Sequence, residues 1–160
     1  MIRSLNYTMI LVCVLVFSGC ESFGSKKDGK VSLHKYGIPV FIKVPDNVTF
    51  SKASSGNVES LTITDSSDFN LQVLMSPTGY SQLKNLKLYH RDLVTNNPYF
   101  IKIVEDYDEG FIFELLINDV RVYDFRKVVL LGDKEIVFQA GPTCQCTEKN
   151  VMNMYSSLLK

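Results

Sequence analysis

Two cysteines stand one residue apart near the C-terminus, Cys144-Gln145-Cys146, just ahead of a stretch with helical periodicity. Three chemistries are open to them. A disulfide between residues two apart closes a small, strained ring, and strain makes such a bond easier to reduce, which suits thiol exchange. Thiols that precede a helix N-terminus have a depressed pKa, and with His34 or His90 they could ligate a soft metal. Otherwise they are loop residues, paired or free, without a redox task. A lone C-x-C does not decide, because redox and zinc motifs are built on C-x-x-C. The second concentration of reactive groups is acidic: Glu105, Asp106, Asp108 and Glu109 share one turn. Carboxylates so grouped can bind calcium or act as acid and base. The EF-hand spacing fails, since Gly110 falls one place early and no six-ligand series follows. The turn is expected to be a solvated hairpin tip, with Gly110 supplying a positive φ.

His90-Arg91-Asp92-Leu93-Val94-Thr95-Asn96-Asn97 matches, letter for letter, the catalytic loop H-R-D-L-x-x-x-N of protein kinases. That chemistry also needs a glycine-rich phosphate loop, a strand lysine and an Asp-Phe-Gly metal site. There is no glycine-rich loop, and Asp124-Phe125-Arg126 lacks the glycine. The match carries no kinase activity. No G-x-S-x-G elbow is present for a serine hydrolase. His90 borders an apolar helix face and is expected to pack there rather than to serve as a base. His34 lies near the start of the domain.

The first twenty residues set the address. Arg3 precedes an unbroken apolar run of nine residues, Met9 to Phe17. A membrane-spanning helix needs about 20 apolar residues, so this run is too short to span. A positive start, a short apolar stretch and small residues after it describe a secretory signal peptide over residues 1–19. Ser18-Gly19-Cys20 resembles the lipobox of bacterial lipoproteins, with Phe17 where leucine is commonest. The resemblance implies diacylglyceryl attachment at Cys20, which becomes the first residue of the mature chain and its contact with the membrane. One acyl chain holds a protein only marginally, at about 0.8 kcal/mol per buried methylene, so two or three chains on Cys20 are the firm anchor. Residues 20–30 then form the lipidated cysteine and a polar, glycine-containing tether. Glu21 to Lys30 is mainly basic, unlike the acidic run that exports some lipoproteins to the cell surface. The expected place is therefore the outer membrane, facing the periplasm.

Of the 160 residues, 141 remain after residues 1–19, enough for one domain with a real core. Loss of Arg3 leaves 16 basic residues against 17 acidic ones. No basic surplus supports nucleic-acid binding. Cys13 leaves with the signal peptide and lipid takes Cys20, so Cys144 and Cys146 remain free to pair in an oxidising compartment.

The elements that position these residues follow from periodicity. Ile38 to Val44 is strand-like and ends at Pro45-Asp46-Asn47. Val48 to Lys52 is a second short strand, and Ser54 to Asn57 a loop. Leu61 to Thr64 and Phe69 to Met75 alternate as half-buried strands do. The period then changes: Leu83, Leu86, Tyr89, His90, Leu93 and Val94 share one side of an amphipathic helix that Asn96-Asn97-Pro98 stops. Strands over Tyr99 to Glu105, Phe111 to Ile117, Val120 to Leu131 and Glu135 to Gln139 have short, turn-rich connections, an antiparallel meander. A final helix runs from about Thr147, its N-cap, to Leu159, with Val151, Met154, Tyr155 and Leu158 as its apolar stripe. The sum is a single domain over 31–160 of the α+β class, an antiparallel sheet with helices packed on it.

From IPVFIKVPDN near Gly37 to VMNMYSSLL near Leu159, this element order resembles the PsbP-like family. The resemblance implies an αβα sandwich and a role in binding proteins and in scaffolding, with no site residue to carry over. The expectation is a non-enzymatic, lipid-anchored envelope protein without a cofactor. It presents its domain to a protein partner of the envelope or to a small ligand. The rivals are a periplasmic thiol/disulfide-active protein using Cys144 and Cys146, and a calcium-stabilised module.

Overall fold

Strand-period residues between Thr49 and Ala140 form one seven-stranded, wholly antiparallel sheet in a computed structural model, which describes residues 26–27 and 29–159. The expected signal peptide, Cys13 and Cys20 lie outside the described residues. In chain order the elements are β1 (Lys26–Lys27), β2 (Lys30–Ser32), β3 (Phe41–Ile42), β4 (Thr49–Ser55), β5 (Val58–Thr64), β6 (Asn70–Pro77), α1 (Leu83–Thr95), β7 (Phe100–Tyr107), β8 (Gly110–Ile117), β9 (Val120–Leu131), β10 (Lys134–Ala140) and α2 (Glu148–Ser157). The small strands β1, β2 and β3 form their own sheet. The large sheet has the order β4-β5-β6-β10-β9-β8-β7. It is two meanders joined at the centre, where β10 returns against β6 with Val137 opposite Leu74 and Gln139 opposite Gln72.

Turn chemistry explains the hairpins. Asn118 and Asp119, between β8 and β9, both have positive φ, 52° and 62°. That is the pattern of a two-residue hairpin turn matched to strand twist. Gly56 (φ 58°) turns β4 into β5, so the strands run through Ser54 and Ser55, which were expected in a loop. Only Phe41–Ile42 of the expected Ile38–Val44 strand pairs with a neighbour. Pro39 has no N–H to give, and the Val40 N–H is taken locally by the Ile38 carbonyl (2.9 Å). Lys26–Lys27, in the stretch read as tether, pairs with Lys30 and Val31.

The two helices pack on opposite faces of the sheet. On one face Leu61, Leu71, Val73, Ile112, Phe125 and Ile136 are fully buried with Val151, Met154 and Tyr155 of α2. Each such side chain stabilises the fold by roughly 1.5–3 kcal/mol on burial. Thr147 caps α2: its hydroxyl accepts from the Asn150 N–H (3.3 Å) while Asn150 Oδ1 accepts from the Thr147 N–H (3.2 Å). On the other face α1 buries Leu86 against Val128 and Val137, and Val94 against Phe111 and Phe113. Leu86, His90 and Val94, four residues apart, are the stripe that meets the sheet. Tyr89 and Leu93, expected on that stripe, are 40% and 54% exposed. They lie one position round the helix, beside the line of contact.

Gly110 does not have a positive φ. The position needs glycine for another reason: a Cβ there would sit 2.2 Å from the Arg126 carbonyl oxygen and 2.9 Å from Lys127 Cα. The β9 backbone passes too close to admit a side chain. Gly132, by contrast, has φ 61° and open space around it. Gly110→Ala is expected to destabilise by about 2–3 kcal/mol, and Gly132→Ala by about 1 kcal/mol from backbone strain alone. Urea unfolding of the two variants measures the difference.

Candidate functional site

A helix about 10–12 Å across covers only two or three strands spaced 4.7–4.9 Å apart. α1 lies over β9 and reaches β7. The β4–β5–β6 half of the same face carries small polar side chains, among them Thr49, Ser51, Ser60, Thr62 and Gln72, as their register places them. Along the boundary between the covered and uncovered halves runs a groove of about 340 Å³. Its apolar walls include Leu74, Leu93, Val94, Phe113 and Val137, and its polar groups are Ser76, His90, Asn97, Asp124, Arg126, Glu135 and Gln139.

Most of these polar groups are satisfied. Gln139 Nε2 donates to Gln72 Oε1 (2.7 Å), and Gln72 Nε2 to Ser60 Oγ (3.0 Å). Arg126 donates to Asp124 Oδ2 (2.7 Å) and the Phe125 carbonyl (2.8 Å), with its guanidinium over the Phe113 ring. Asp124 Oδ1 accepts the Ala140 N–H (2.8 Å). The pair at the helix–sheet junction differs. His90 Nε2 is 3.6 Å from Glu135 Oε1, beyond hydrogen-bond length, and has no other partner. Both side chains are close to nine-tenths buried, at 10% and 13% exposed. Ser76 donates to the same Glu135 oxygen at 3.3 Å.

Burial holds the His90 imidazole below its ordinary pKa of 6.5. The Glu135 carboxylate pulls the other way, and Arg126 adds to the lowering. His90 is therefore neutral at pH 7, and one ring nitrogen is an acceptor.

Of the residues singled out by sequence, His90 lines this groove and the others are placed elsewhere. Cys144 and Cys146 are joined as a disulfide in the loop between β10 and α2, with Cα atoms 5.1 Å apart. The loop is tied on both sides: the Cys144 N–H donates to the Gly141 carbonyl (2.9 Å) and the Cys146 carbonyl accepts the Tyr123 N–H (3.0 Å). Cys146 is buried; Cys144 is half-buried and lines a separate cavity of about 340 Å³ with Ile117, Val120 and Val122. His34 sits on a short turn, His34–Tyr36, bonded to Ser32 Oγ (2.8 Å) and tilted on the Phe41 ring. Among the described residues no three His, Cys, Asp or Glu side chains are gathered to hold a metal ion.

The acidic turn is the expected solvated hairpin tip, with Glu105, Asp106 and Asp108 exposed, and two of its carboxylates also tie it to neighbouring elements. Asp106 accepts from Lys87 (2.6 Å) and Arg91 (2.5 Å) of α1, and these bonds hold its carboxyl below the usual range. Glu109 pairs with buried Lys127 at 2.7 Å. The kinase-like letters thus fall on α1, with His90 facing the sheet and Arg91 on β7.

Another cavity, of about 540 Å³, lies by the start of α2. Its polar groups serve local structure: Asp65 accepts the Ser67 and Phe69 N–H groups (2.8 and 3.0 Å), and Thr147 and Asn150 cap each other.

Glu135, Arg126, Asp124 and Gln139 were not singled out from sequence. The available signal was the change along one strand face, from Val128 and Leu130 to Arg126 and Asp124 on β9. That change marks where the helix stops covering the sheet.

His90 gives a test. Its neutral form is favoured by folding, so its contribution to stability is complete above pH 6.5 and is lost as pH falls towards the lowered folded-state value. The wild type is expected to lose more stability between pH 7.5 and pH 5 than His90→Gln, measured by urea unfolding at both pH values.

Searches against protein-family models, curated proteins and solved structures each found no match to this chain.

Proposed function

We propose that this is a lipid-anchored cell-envelope protein of non-enzymatic type, whose α+β domain binds a small ligand in the groove beside α1. The groove carries the reading. It is concave, its walls are mainly apolar, and a few polar groups converge in it, the general pattern of a ligand site. The uncovered sheet face beside it offers a surface for a protein partner in a scaffolding or assembly role, in keeping with the PsbP-like resemblance. The N-terminal signal and Ser18-Gly19-Cys20 supply the membrane address, with the outer membrane facing the periplasm as the proposed site.

In membranes of a bacterial host, the mature protein is expected to have the mass of residues 20–160 plus acyl chains. A Cys20→Ala variant should lose those chains and leave the membrane fraction. A mature mass starting elsewhere, with the protein soluble, would remove the anchor from the proposal.

A thiol–disulfide role is the second reading, favoured by the unequal burial of the two sulfurs. An attacking thiolate would bond to Cys144 and release Cys146 as a thiolate ahead of the α2 N-terminus, where the helix dipole favours it. Under this reading Cys144→Ser abolishes exchange with a small dithiol. If the pair is structural, the double serine variant only lowers stability, by about 1–2 kcal/mol.

A further inference from the structure

Resting on the reading of the groove as a binding site, we infer that its ligand is an organic cation, a primary ammonium on an apolar body, with the ammonium seated between Glu135 and His90. Charge balance within the groove points there. Its lining has three charged side chains. Arg126 and Asp124 neutralise each other through a direct bond. Glu135 is left with a serine hydroxyl and an uncharged imidazole. A carboxylate so nearly buried, with no cation on it, is costly to the fold unless something arrives to pair with it.

The second observation is independent of charge. His90 Nε2 is buried, lines the same groove and has no hydrogen-bond partner. An orphaned polar atom of this kind costs about as much as a lost hydrogen bond. An ammonium has three N–H donors and no acceptor. With His90 in its Nδ1–H tautomer, so that Nε2 accepts, it satisfies the Glu135 carboxylate and the His90 nitrogen at once, where a carboxylate ligand would be repelled and a hydrocarbon would leave the charge uncompensated. The wall of Leu93, Val94, Phe113 and Val137 then takes the apolar body.

The probe is hexylamine, compared with hexanol and hexanoate, in a thermal-shift titration of the full-length protein at pH 7.5. Hexylamine should raise the melting temperature and hexanoate should not. Glu135→Gln, which keeps the shape and removes the charge, should weaken the hexylamine response by about tenfold or more. Glu59→Gln, at a half-exposed carboxylate on β5 that pairs with Lys52 outside the groove, should leave the response intact. Leu93→Lys is a second variant at a position exposed enough to keep the fold. It carries its own ammonium at the groove wall and should abolish the hexylamine response. Equal responses of wild type and Glu135→Gln, or of hexylamine and hexanol, would overturn the inference. Binding of hexanol or hexanoate without hexylamine, lost in Leu93→Lys, would overturn the cation and leave the groove as a site. No response to any of the three would remove both.

Discussion

One helix cannot cover one face of a seven-stranded sheet, and the rest of this structure follows from that mismatch. The face under α2 has help: Val31, Leu33, Ile38 and Ile42 from the N-terminal segment join α2 in closing it over. That face accordingly carries most of the core. The opposite face has α1 alone. Its strands answer with apolar residues where the helix lies, hydroxyls and amides where it does not, and a groove at the border. At that border polar side chains of the sheet meet both a helix wall and space for a ligand.

Charge placement obeys the same geometry. Lys127 lies under α2 but has Glu109 and the Tyr155 ring. Glu114, only 1% exposed, is held by Arg121 at 2.6 Å with Lys102 at 3.6 Å. Asp106 ties α1 to the β7–β8 hairpin through two cations. Exposed ion pairs contribute little on their own, yet these fix where the hairpin sits against the helix. Against that background Glu135 stands apart. Its neighbours within reach are a hydroxyl and a histidine whose burial keeps it neutral.

Local chemistry was legible in the sequence. The Thr147 cap, the Asn118-Asp119 turn, the limits of β9 and the stop of α1 before Pro98 are set by residues next to one another in the chain. The groove is not local. His90 and Glu135 meet because β10 returns to the centre of the sheet, and no periodicity states which strand a strand will pair with. Gly110 shows the same limit in miniature. A glycine at a turn suggests a positive φ, but the restraint comes from the backbone of β9, which reaches it through the sheet. The acidic turn is the solvated hairpin tip that the sequence suggests, but its partners Lys87 and Arg91 belong to a helix that precedes it and are not legible locally.

The end of α1 fixes the size of the groove. Pro98 forbids a further turn, and Asn97 closes the helix with three local bonds. Its N–H donates to the Val94 carbonyl (3.1 Å), its own carbonyl accepts the Phe100 N–H (3.0 Å), and its side chain accepts the Tyr99 N–H (2.9 Å). These turn the chain directly into β7 and leave Leu93 and Asn97 on the groove wall. A longer helix would bury Leu115 and the mouth beside Asp124, both of which line the groove. A helix one turn shorter would lose Val94 from Phe111 and Phe113 and let water reach His90. The neutral histidine, the carboxylate without a cation and the space before them therefore share one structural cause, a helix long enough to bury that pair and too narrow to cover the sheet.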